Sequence, residues 1–338
     1  MAKHNHVIIN GQVAQNPTII RDENGVPERG IVAIKTIRGI RDFGNNIDNL
    51  RYDMPIVMTG APELVKKMSK WREGDMVEVK GSLTTRDITR NSTCIHCGHK
   101  QGRKGSAVFI NPIYLGLREQ LSKLIRSTSP GSIEYTEQKR ECEAKGIELL
   151  KERCEISNQA TFIGPVCREP SVYKTEKGLV ITTYQMAIRR KFRIKDDSAD
   201  TKTDFPWVKA YGAIAVNDAK ALKKGTYVFV DGMIQTREFE RTIKCEHCGH
   251  DYTYKGNTAE IVPYAIEYLR DYNTPEDIEK KEKEEGRLAA EAVLNENVVD
   301  ELKPVDDPEF SEEMFNRGPV FEKPADESLS SLADSILK

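Results

Sequence analysis

The sequence predicts a mainly β protein made of two tandem five-stranded barrels, a helical linker and an acidic, largely disordered C-terminal tail. Three observations predict this class: one set of motifs occurs twice in the same order, short strand-like runs dominate each copy, and acidic residues collect after Asn273. The predicted boundaries are 1–117 for the first barrel, 118–156 for the linker, 157–272 for the second barrel and 273–338 for the tail.

The motifs of the first copy recur in the second with an offset of 151 to 154 residues. The matched segments are Ile9–Pro17 with Phe162–Pro170, Val32–Lys35 with Met186–Arg189, Gly74–Gly81 with Gly225–Gly232, Thr85–Asp87 with Thr236–Glu238, and Cys94–His99 with Cys245–His250. Chance similarity does not keep register over so many blocks, so the chain contains one unit duplicated.

Each unit is predicted to be mostly β-strand. Residues 7–9 and 160–163 are short β-rich runs, and residues 76–80 and 227–231 alternate between two faces as half-buried strands do. A helical stretch that ends at a glycine precedes the fourth strand of each unit. Five short strands with one helix before the fourth describe an OB-fold barrel.

Helical patterns lie between and after the units. Apolar residues recur at helical spacing over 117–125, and 136–154 is charged and helix-prone, so two helices are predicted around a Ser-Pro-Gly turn at 129–131. After Asn273, one helix is predicted over 276–294, and the remainder has the composition of a disordered segment.

The charge of the chain is strongly polarised. From Asn273 onward there are 19 acidic and 8 basic side chains, a formal charge of −11; because the whole chain carries −2, residues 1–272 carry +9. A basic body attracts polyanions, while the acidic tail competes with them, recruits another protein or simply improves solubility.

Several classes of protein are not expected. No apolar run approaches the roughly 18 residues of a membrane span, and the first residues lack the apolar stretch of a secretory signal, so a cytoplasmic protein is expected. The sequence has no P-loop, no G-x-S-x-G and no H-E-x-x-H motif, and therefore an enzyme is not expected.

Four of the seven cysteines form two C-x-x-C-G-H knuckles, with Cys94 and Cys97 in the first copy and Cys245 and Cys248 in the second. A C-x-x-C-G turn brings two thiolates onto one metal ion. Zinc is favoured over a redox dithiol because the motif is duplicated and no thioredoxin-like βαβ pattern surrounds it.

One cysteine pair cannot complete a tetrahedral site, which leaves two arrangements open. In the first, which is slightly favoured, the four cysteines share one zinc ion and join the repeats. In the second, each knuckle recruits its own histidines, His96 and His99 or His247 and His250. Both knuckles are predicted to lie between the fourth and fifth barrel strands.

Aromatic and cationic residues point to nucleic acid, because stacking rings and a cationic groove bind single strands without reading sequence. Residues 1–117 contain 5 aromatics and residues 156–268 contain 14. The predicted nucleic-acid-binding residues are Lys35, Arg38, Arg41, Phe43 and Arg86 in the first unit, and Arg189, Arg190, Phe192, Arg193, Phe205, Trp207, Lys209, Tyr211, Arg237 and Phe239 in the second.

The rings are expected to divide between surface and interior. Flanking charges favour exposure of Phe192 and Phe239, whereas Tyr227 and Phe229 are expected to fill the barrel. The second barrel is therefore predicted to grip bases, while the first contributes phosphate contacts or dimerisation.

Three stretches of the second unit, Phe162–Gly164, Phe205–Gly212 and Leu222–Phe239, resemble the bacterial and phage single-stranded DNA-binding protein family. In the third stretch a Lys-Gly turn, an alternating strand, a glycine and Thr-Arg-x-aromatic follow in the order of the family. The resemblance spans most of 155–270 and is weaker in the first unit.

The resemblance implies a protein that coats single-stranded DNA in replication, repair or recombination. The family commonly assembles four barrels, so a homodimer is expected, and its members usually end in a short acidic peptide that docks partner enzymes. This tail keeps only the acidic character. Typical members lack the knuckles, whose duplication suggests a phage or mobile-element version. An RNA-binding regulator and a protein-interaction scaffold of a replication assembly remain as alternatives.

Overall fold

Two β-barrels are joined edge to edge in a computed structural model that describes residues 4–38, 51–127, 129–152, 157–190 and 203–294. The strands of the first barrel are β1 (His4–Val13), β2 (Thr18–Arg21), β3 (Pro27–Ile37), β4 (Tyr52–Asp53), β5 (Ile56–Thr59), β6 (Met76–Thr93) and β7 (Lys100–Glu119). Those of the second are β8 (Asn158–Pro165), β9 (Ser171–Lys174), β10 (Val180–Gln185), β11 (Ile188–Arg189), β12 (Thr203–Asp204), β13 (Trp207–Tyr211), β14 (Tyr227–Lys244) and β15 (Asp251–Arg270). The helices are α1 (Pro62–Met68), α2 (Ile133–Lys151), α3 (Gly212–Ala221) and α4 (Pro275–Leu294).

The strand pairing identifies the OB fold. The first barrel closes in the order β1-β3-β5-β7-β6, in which β5 and β7 run parallel with Val57 opposite Ile110. The second repeats this order with β8, β10, β13, β15 and β14, in which Val208 lies opposite Ile261, and one antiparallel bridge just beyond β8 and β10 completes the ring. The predicted class of two tandem OB-fold barrels is confirmed.

The barrel interiors are filled by alternate residues of each strand. In β14, Val228 and Val230 are fully buried, whereas Tyr227 and Phe229 are half-buried on the outer face. The expectation that the two rings fill the barrel is wrong. Val230 pairs with Phe162, which also points inward and is fully buried, so the valines take the interior positions.

The linker contains one long helix where two are predicted. Residues 121–124 form a single 3-10 turn, and α2 begins after Ser132, whose hydroxyl accepts the Tyr135 N–H at 3.1 Å. The helix continues through Gly146, where the absence of a side chain leaves room for Gln12; a Cβ at this glycine would be 2.2 Å from the Gln12 amide nitrogen. α2 therefore packs on the first barrel. In the described part of the chain, no helix is long and apolar enough to cross a membrane.

The two barrels are related by an approximate two-fold axis. The first strands of the repeats, β1 and β8, pair antiparallel with Val7 opposite Ala160, its counterpart 153 residues later. Equivalent positions face each other in an antiparallel pair only where a two-fold axis passes between them. The pairing joins the barrels into one continuous sheet.

Two asparagines repeat the same symmetry. The Asn5 side-chain amide donates to the Leu83 carbonyl at 2.9 Å, and the Leu83 N–H donates to the Asn5 side-chain oxygen at 2.8 Å. Asn158 makes the equivalent pair with Ile234, at 2.7 and 3.0 Å. All four residues are buried, so these bonds satisfy polar groups that would otherwise destabilise the junction.

Two buried carboxylates connect the barrels across the axis. Asp53 accepts hydrogen bonds from Arg38 at 2.8 and 3.1 Å, and from the Thr236 N–H of the other repeat at 2.7 Å. The equivalent contacts join Asp204 with Arg190 at 2.6 and 3.2 Å and with the Thr85 N–H at 2.9 Å. Each carboxylate thus fixes one barrel to the long hairpin of the other. These hairpins are formed by β6 and β7 in the first repeat and by β14 and β15 in the second.

These contacts place Arg38 and Arg190 in the protein interior, whereas the sequence predicts that they lie on a nucleic-acid-binding surface. Both are expected from the sequence to bind nucleic acid, but they are only 7% and 8% exposed. A buried guanidinium needs its carboxylate, because an uncompensated charge in the interior is strongly unfavourable. The two arginines belong to the junction between the barrels.

The variant Asp204→Asn is expected to lower the free energy of unfolding by about 3–5 kcal/mol, because it leaves the Arg190 guanidinium buried without its counter-charge. Urea denaturation followed by circular dichroism measures the effect. The control, Asp87→Asn, changes an exposed carboxylate and is expected to stay within about 0.5 kcal/mol of the wild type. Equal effects of the two substitutions would contradict the role of the buried pair.

Candidate nucleic-acid interface and metal centre

The second barrel exposes an aromatic pair at the start of β13. Val208 and Ala210 point into the interior, which turns Trp207 outward. Trp207 is 38% exposed and Phe205, two residues earlier, is 45% exposed. Rings held at the surface of a rigid strand are suited to stack on the bases of a single strand. We call these two residues the aromatic pair.

Contacts from both repeats fix the aromatic pair. The guanidinium carbon of Arg168 lies 5.4 Å from the centre of the Trp207 ring, a cation–π distance. The Gln185 side-chain amide donates to the Phe205 carbonyl at 3.0 Å, and the Phe205 N–H donates to the Thr85 hydroxyl of the first repeat at 2.8 Å. Sequence reasoning missed Arg168, because it stands outside the strand motifs and only the fold brings it to Trp207.

Three other predicted residues lie on or beside this face. Lys209 and Tyr211 alternate with the buried residues of β13, but Lys209 is largely buried and Tyr211 is half-buried. Arg189 is exposed at the end of β11, where it pairs with Thr203. Four predicted residues, Arg41, Phe43, Phe192 and Arg193, lie outside the described residues.

Phe239 lies between the two long hairpins. Its ring is half-buried, with the guanidinium carbons of Arg90 and Arg241 at 5.9 and 5.2 Å from its centre and Tyr254 edge-on at 6.1 Å. The sequence predicts exposure because charges flank the ring, but one of those charges, Arg241, packs against it together with Arg90 of the first repeat. Phe239 therefore holds the hairpins together as much as it offers a surface.

The remaining predicted cations have partners within the protein. Arg237 lies 3.6 Å from the Glu260 carboxylate, Arg86 lies 5.9 Å from the centre of the Phe109 ring, and Lys35 lies 2.5 Å from Glu143 of α2. The positive charge of Arg237 and Lys35 is thus partly compensated before any ligand binds. Lys35 is also covered by the linker helix.

The first barrel presents apolar residues where the second presents rings. Met54 and Ile56 occupy the positions of Phe205 and Trp207 in the repeat. The neighbouring outer-face side chains form an apolar cluster whose buried members are Ile31, Ala33, Met58, Ile88, Ala107 and Phe109. The two barrels therefore have the same backbone fold but carry different side chains on this outer face.

The two knuckles meet at the tips of the hairpins, between the fourth and fifth strands of each barrel. The Sγ atoms of Cys94 and Cys248 are 3.8 Å apart, and those of Cys97 and Cys245 are 3.6 Å apart. All four sulfur atoms lie within 4.8 Å of one another. Each close pair joins the two repeats, so the thiols form one shared cluster, as slightly favoured from the sequence.

The geometry of this four-cysteine cluster fits a tetrahedral metal ion. Metal–sulfur bonds of about 2.3 Å separate the sulfurs of a tetrahedron by about 3.8 Å, close to the distances found. The four cysteines are free thiols. Within the described residues, no histidine belongs to the cluster. The histidine rings stack in pairs instead, with 3.8 Å between the ring centres of His96 and His250 and 5.4 Å between those of His99 and His247.

Backbone N–H groups of the knuckles donate to the sulfurs. The N–H of Cys248 is the main cause that lowers the pKa of the Cys245 thiol to about 6, against the effect of burial. At Cys97 the N–H of His99 lowers the pKa, but burial and the three neighbouring thiols raise it to about 12. Four thiols this close cannot all ionise unless a cation lies between them.

Complementary side chains join the two hairpins below the cluster. The Ser92 hydroxyl lies 2.8 Å from the Tyr252 hydroxyl, and the Gln101 side-chain oxygen accepts the Glu246 N–H at 3.1 Å. Ser92 and Gln101 of the first repeat correspond to Ile243 and Tyr252 of the second, which are buried beside the cysteines. The two hairpins therefore differ at equivalent positions, with the polar pair Ser92 and Gln101 in the first and the largely apolar pair Ile243 and Tyr252 in the second.

The second barrel is similar in sequence to known proteins. Residues 157–250 match the Single-strand binding protein family. Single-stranded DNA-binding protein 3 of Listeria innocua is 31% identical over 85 residues, which are 25% of this chain and 52% of that protein. Single-stranded DNA-binding protein A of Bacillus subtilis is 31% identical over 83 residues, 25% of this chain and 47% of that protein.

The matched region spans about half the length of these curated relatives. A crystal structure of the wild-type single-stranded DNA binding protein from Thermus aquaticus aligns with a TM-score of 0.46 and 15% identity, over 80% of this chain and 95% of that one. The resemblance predicted from the sequence is confirmed for the second barrel.

Proposed function

We propose that the protein binds and protects single-stranded DNA in the cytoplasm during replication, repair or recombination, without strong sequence preference and without catalysis. The observation that carries the proposal is the aromatic pair, Phe205 and Trp207, exposed at the start of β13 within the segment that matches the single-strand binding family. Arg168 beside Trp207 and the exposed Arg189 supply charge for the phosphates.

The chemistry of the face explains why base identity matters little. Stacking uses the π-face that every base has, and each stacked base contributes about 1–3 kcal/mol. Positive charge adds a contribution to the binding free energy that depends on salt, because Lys and Arg side chains release counterions from the phosphates. The formal charge of +9 on residues 1–272 favours this term.

The double variant Phe205→Ala/Trp207→Ala is expected to weaken binding to oligo-dT by at least about 30-fold, since two stacked bases together contribute about 2 kcal/mol or more. Fluorescence anisotropy of a labelled oligonucleotide measures the affinity. The matched control is Tyr114→Ala, which removes an exposed ring from the first barrel and is expected to leave the affinity nearly unchanged. Unchanged affinity in the double variant would sink the proposal.

Two further measurements separate the alternatives. Competition between poly-dT and poly-U of equal length distinguishes DNA from RNA binding, and a preference for poly-U would favour an RNA-binding regulator. Affinity that falls steeply as salt rises is expected for a phosphate-binding protein. A scaffold that contacts only proteins would show no such affinity.

We also propose that zinc binds the four-cysteine cluster as a structural ion. The Sγ distances of 3.6 and 3.8 Å and the shared position between the hairpins support one ion, held by Cys94, Cys97, Cys245 and Cys248. Bound there, zinc would supply the positive charge that four thiolates need. It would also tie the tips of hairpins that belong to different barrels.

Zinc quantification tests the shared site. The wild type is expected to hold one zinc ion per chain, and Cys94→Ser is expected to hold none, because three ligands from two hairpins do not retain a structural ion. Cys167→Ser, which changes a half-buried thiol of the second barrel outside the cluster, is the matched control and should keep the ion. Two ions in the wild type, falling to one in Cys94→Ser, would contradict the shared site.

A homodimer with four barrels is the assembly that we propose. The outer face of the joined sheet carries Ile8 of β1, Ile163 of β8, and Tyr227 and Phe229 of β14, all half-buried within their own chain. A second copy is the natural occupant, because a face with approximate two-fold symmetry can make the same contacts in both directions. The acidic tail, which continues beyond the described residues, would recruit replication or repair proteins.

Sedimentation analysis is expected to give twice the chain mass of 38.3 kDa for the wild type and the single chain mass for Phe229→Glu, which places a charge in the proposed contact. Val172→Glu alters an exposed apolar residue of β9 outside this face and should leave the dimer intact. A wild type that sediments as a monomer would exclude this assembly.

A further inference from the structure

We propose that a cleft between the two hairpins binds the edge of one base of the bound strand. This proposal rests on the proposed function and adds a second subsite to the aromatic pair. The cleft has a volume of about 80 Å³ and is lined by both repeats. Met54, Ile56 and Phe109 of the first repeat contribute apolar surface, and Arg237 and Asn257 of the second contribute polar groups.

Two unsatisfied donors point to a ligand with acceptor atoms. The Nε–H groups of Arg90 and Arg237, one from each hairpin, are buried and lack a hydrogen-bond partner, and both residues line the cleft. Arg90 Nη2 donates to the Ser106 carbonyl at 3.3 Å, and Arg237 lies 3.6 Å from Glu260, so each guanidinium is anchored while its Nε–H stays available. Buried donors are normally paired, and a bound acceptor would pair them.

The charge balance favours a base over a phosphate. Glu238 lines the cleft, and the Glu260 carboxylate lies beside Arg237. Two carboxylates offset the two arginines, which leaves little attraction for an anion. A base is neutral, and its edge carries carbonyl acceptors for the arginines together with N–H donors for Glu238 or Asn257.

The shape of the cleft suits the edge of a flat ring. Most of its lining is apolar, which suits the faces of a flat ring. Its volume is about half of the roughly 150 Å³ cavity that holds benzene, so a ring enters by its edge rather than completely.

The position of the cleft is consistent with a strand that also reaches the aromatic pair. Met54 and Ile56 are the first-repeat counterparts of Phe205 and Trp207. The approximate two-fold axis therefore relates the cleft to the surroundings of the aromatic pair. One strand that crosses between the hairpins would meet exposed rings on one side and the apolar cleft on the other.

The test compares Arg90→Met on two ligands, oligo-dT and an abasic oligonucleotide of the same length. Methionine keeps an apolar stem but removes the N–H groups, so binding to oligo-dT is expected to weaken about fivefold, the loss of one modest base contact. Binding to the abasic strand should change less than about twofold. The matched control is Arg103→Met, which removes an exposed cation directly across the hairpin from Arg90 and should affect both ligands equally.

Each other outcome overturns the proposal. Equal losses on the two ligands would show a phosphate contact, and no loss on either ligand, with wild-type binding intact, would show that the cleft is not used. Photocrosslinking of the wild type to an oligonucleotide with 5-iodouracil adds a test without substitution. Crosslinks at Met54 or Phe109 support the cleft; crosslinks confined to the aromatic pair contradict it while sustaining the proposed function. A wild type that binds neither ligand overturns both proposals.

Discussion

The antiparallel pairing of β1 with β8 is the contact on which the rest of the structure depends. Because Val7 faces its own counterpart Ala160, the axis between them relates each feature of one repeat to its equivalent in the other. The long hairpins therefore lie side by side, and their knuckles meet in one four-cysteine cluster. The carboxylates of Asp53 and Asp204 cross the axis and fix this arrangement at the base of the hairpins. A different register between the first strands would separate all of these contacts.

Within this symmetric frame the two surfaces have diverged. The second barrel exposes Phe205 and Trp207, whereas the first carries Met54 and Ile56 at the same positions beside an apolar cluster. Side chains at the outer face hardly affect barrel closure, which uses the opposite side of each strand. The second barrel therefore carries exposed rings on this side of its strands, while the first carries a surface that packs against its own hairpin. Residues on one face of each strand close the barrel, and residues on the other face form the surface. The surfaces of the two barrels can therefore differ while their interiors stay alike.

The sequence predicts what depends on local pattern and repetition. The two barrels and the meeting of the knuckles follow from a duplicated set of motifs. Contacts between distant segments could not be predicted in the same way. Arg38 and Arg190 look like surface cations until the fold buries each against an aspartate that follows it by about fifteen residues. Phe239 looks exposed because charges flank it, but Arg90 from the hairpin of the first repeat packs against its ring. Arg168 has no local signal, since only the fold brings it to the tryptophan ring.

Intrinsic tryptophan fluorescence tests the central claim most directly, because the chain has two tryptophans in opposite environments. Trp71 is buried in the first barrel, and Trp207 is exposed in the aromatic pair. Titration with oligo-dT is predicted to quench the emission of the wild type and of Trp71→Phe, and to leave the emission of Trp207→Phe unchanged. Quenching that persists in Trp207→Phe while Trp71→Phe shows none would contradict the assignment of base stacking to the second barrel.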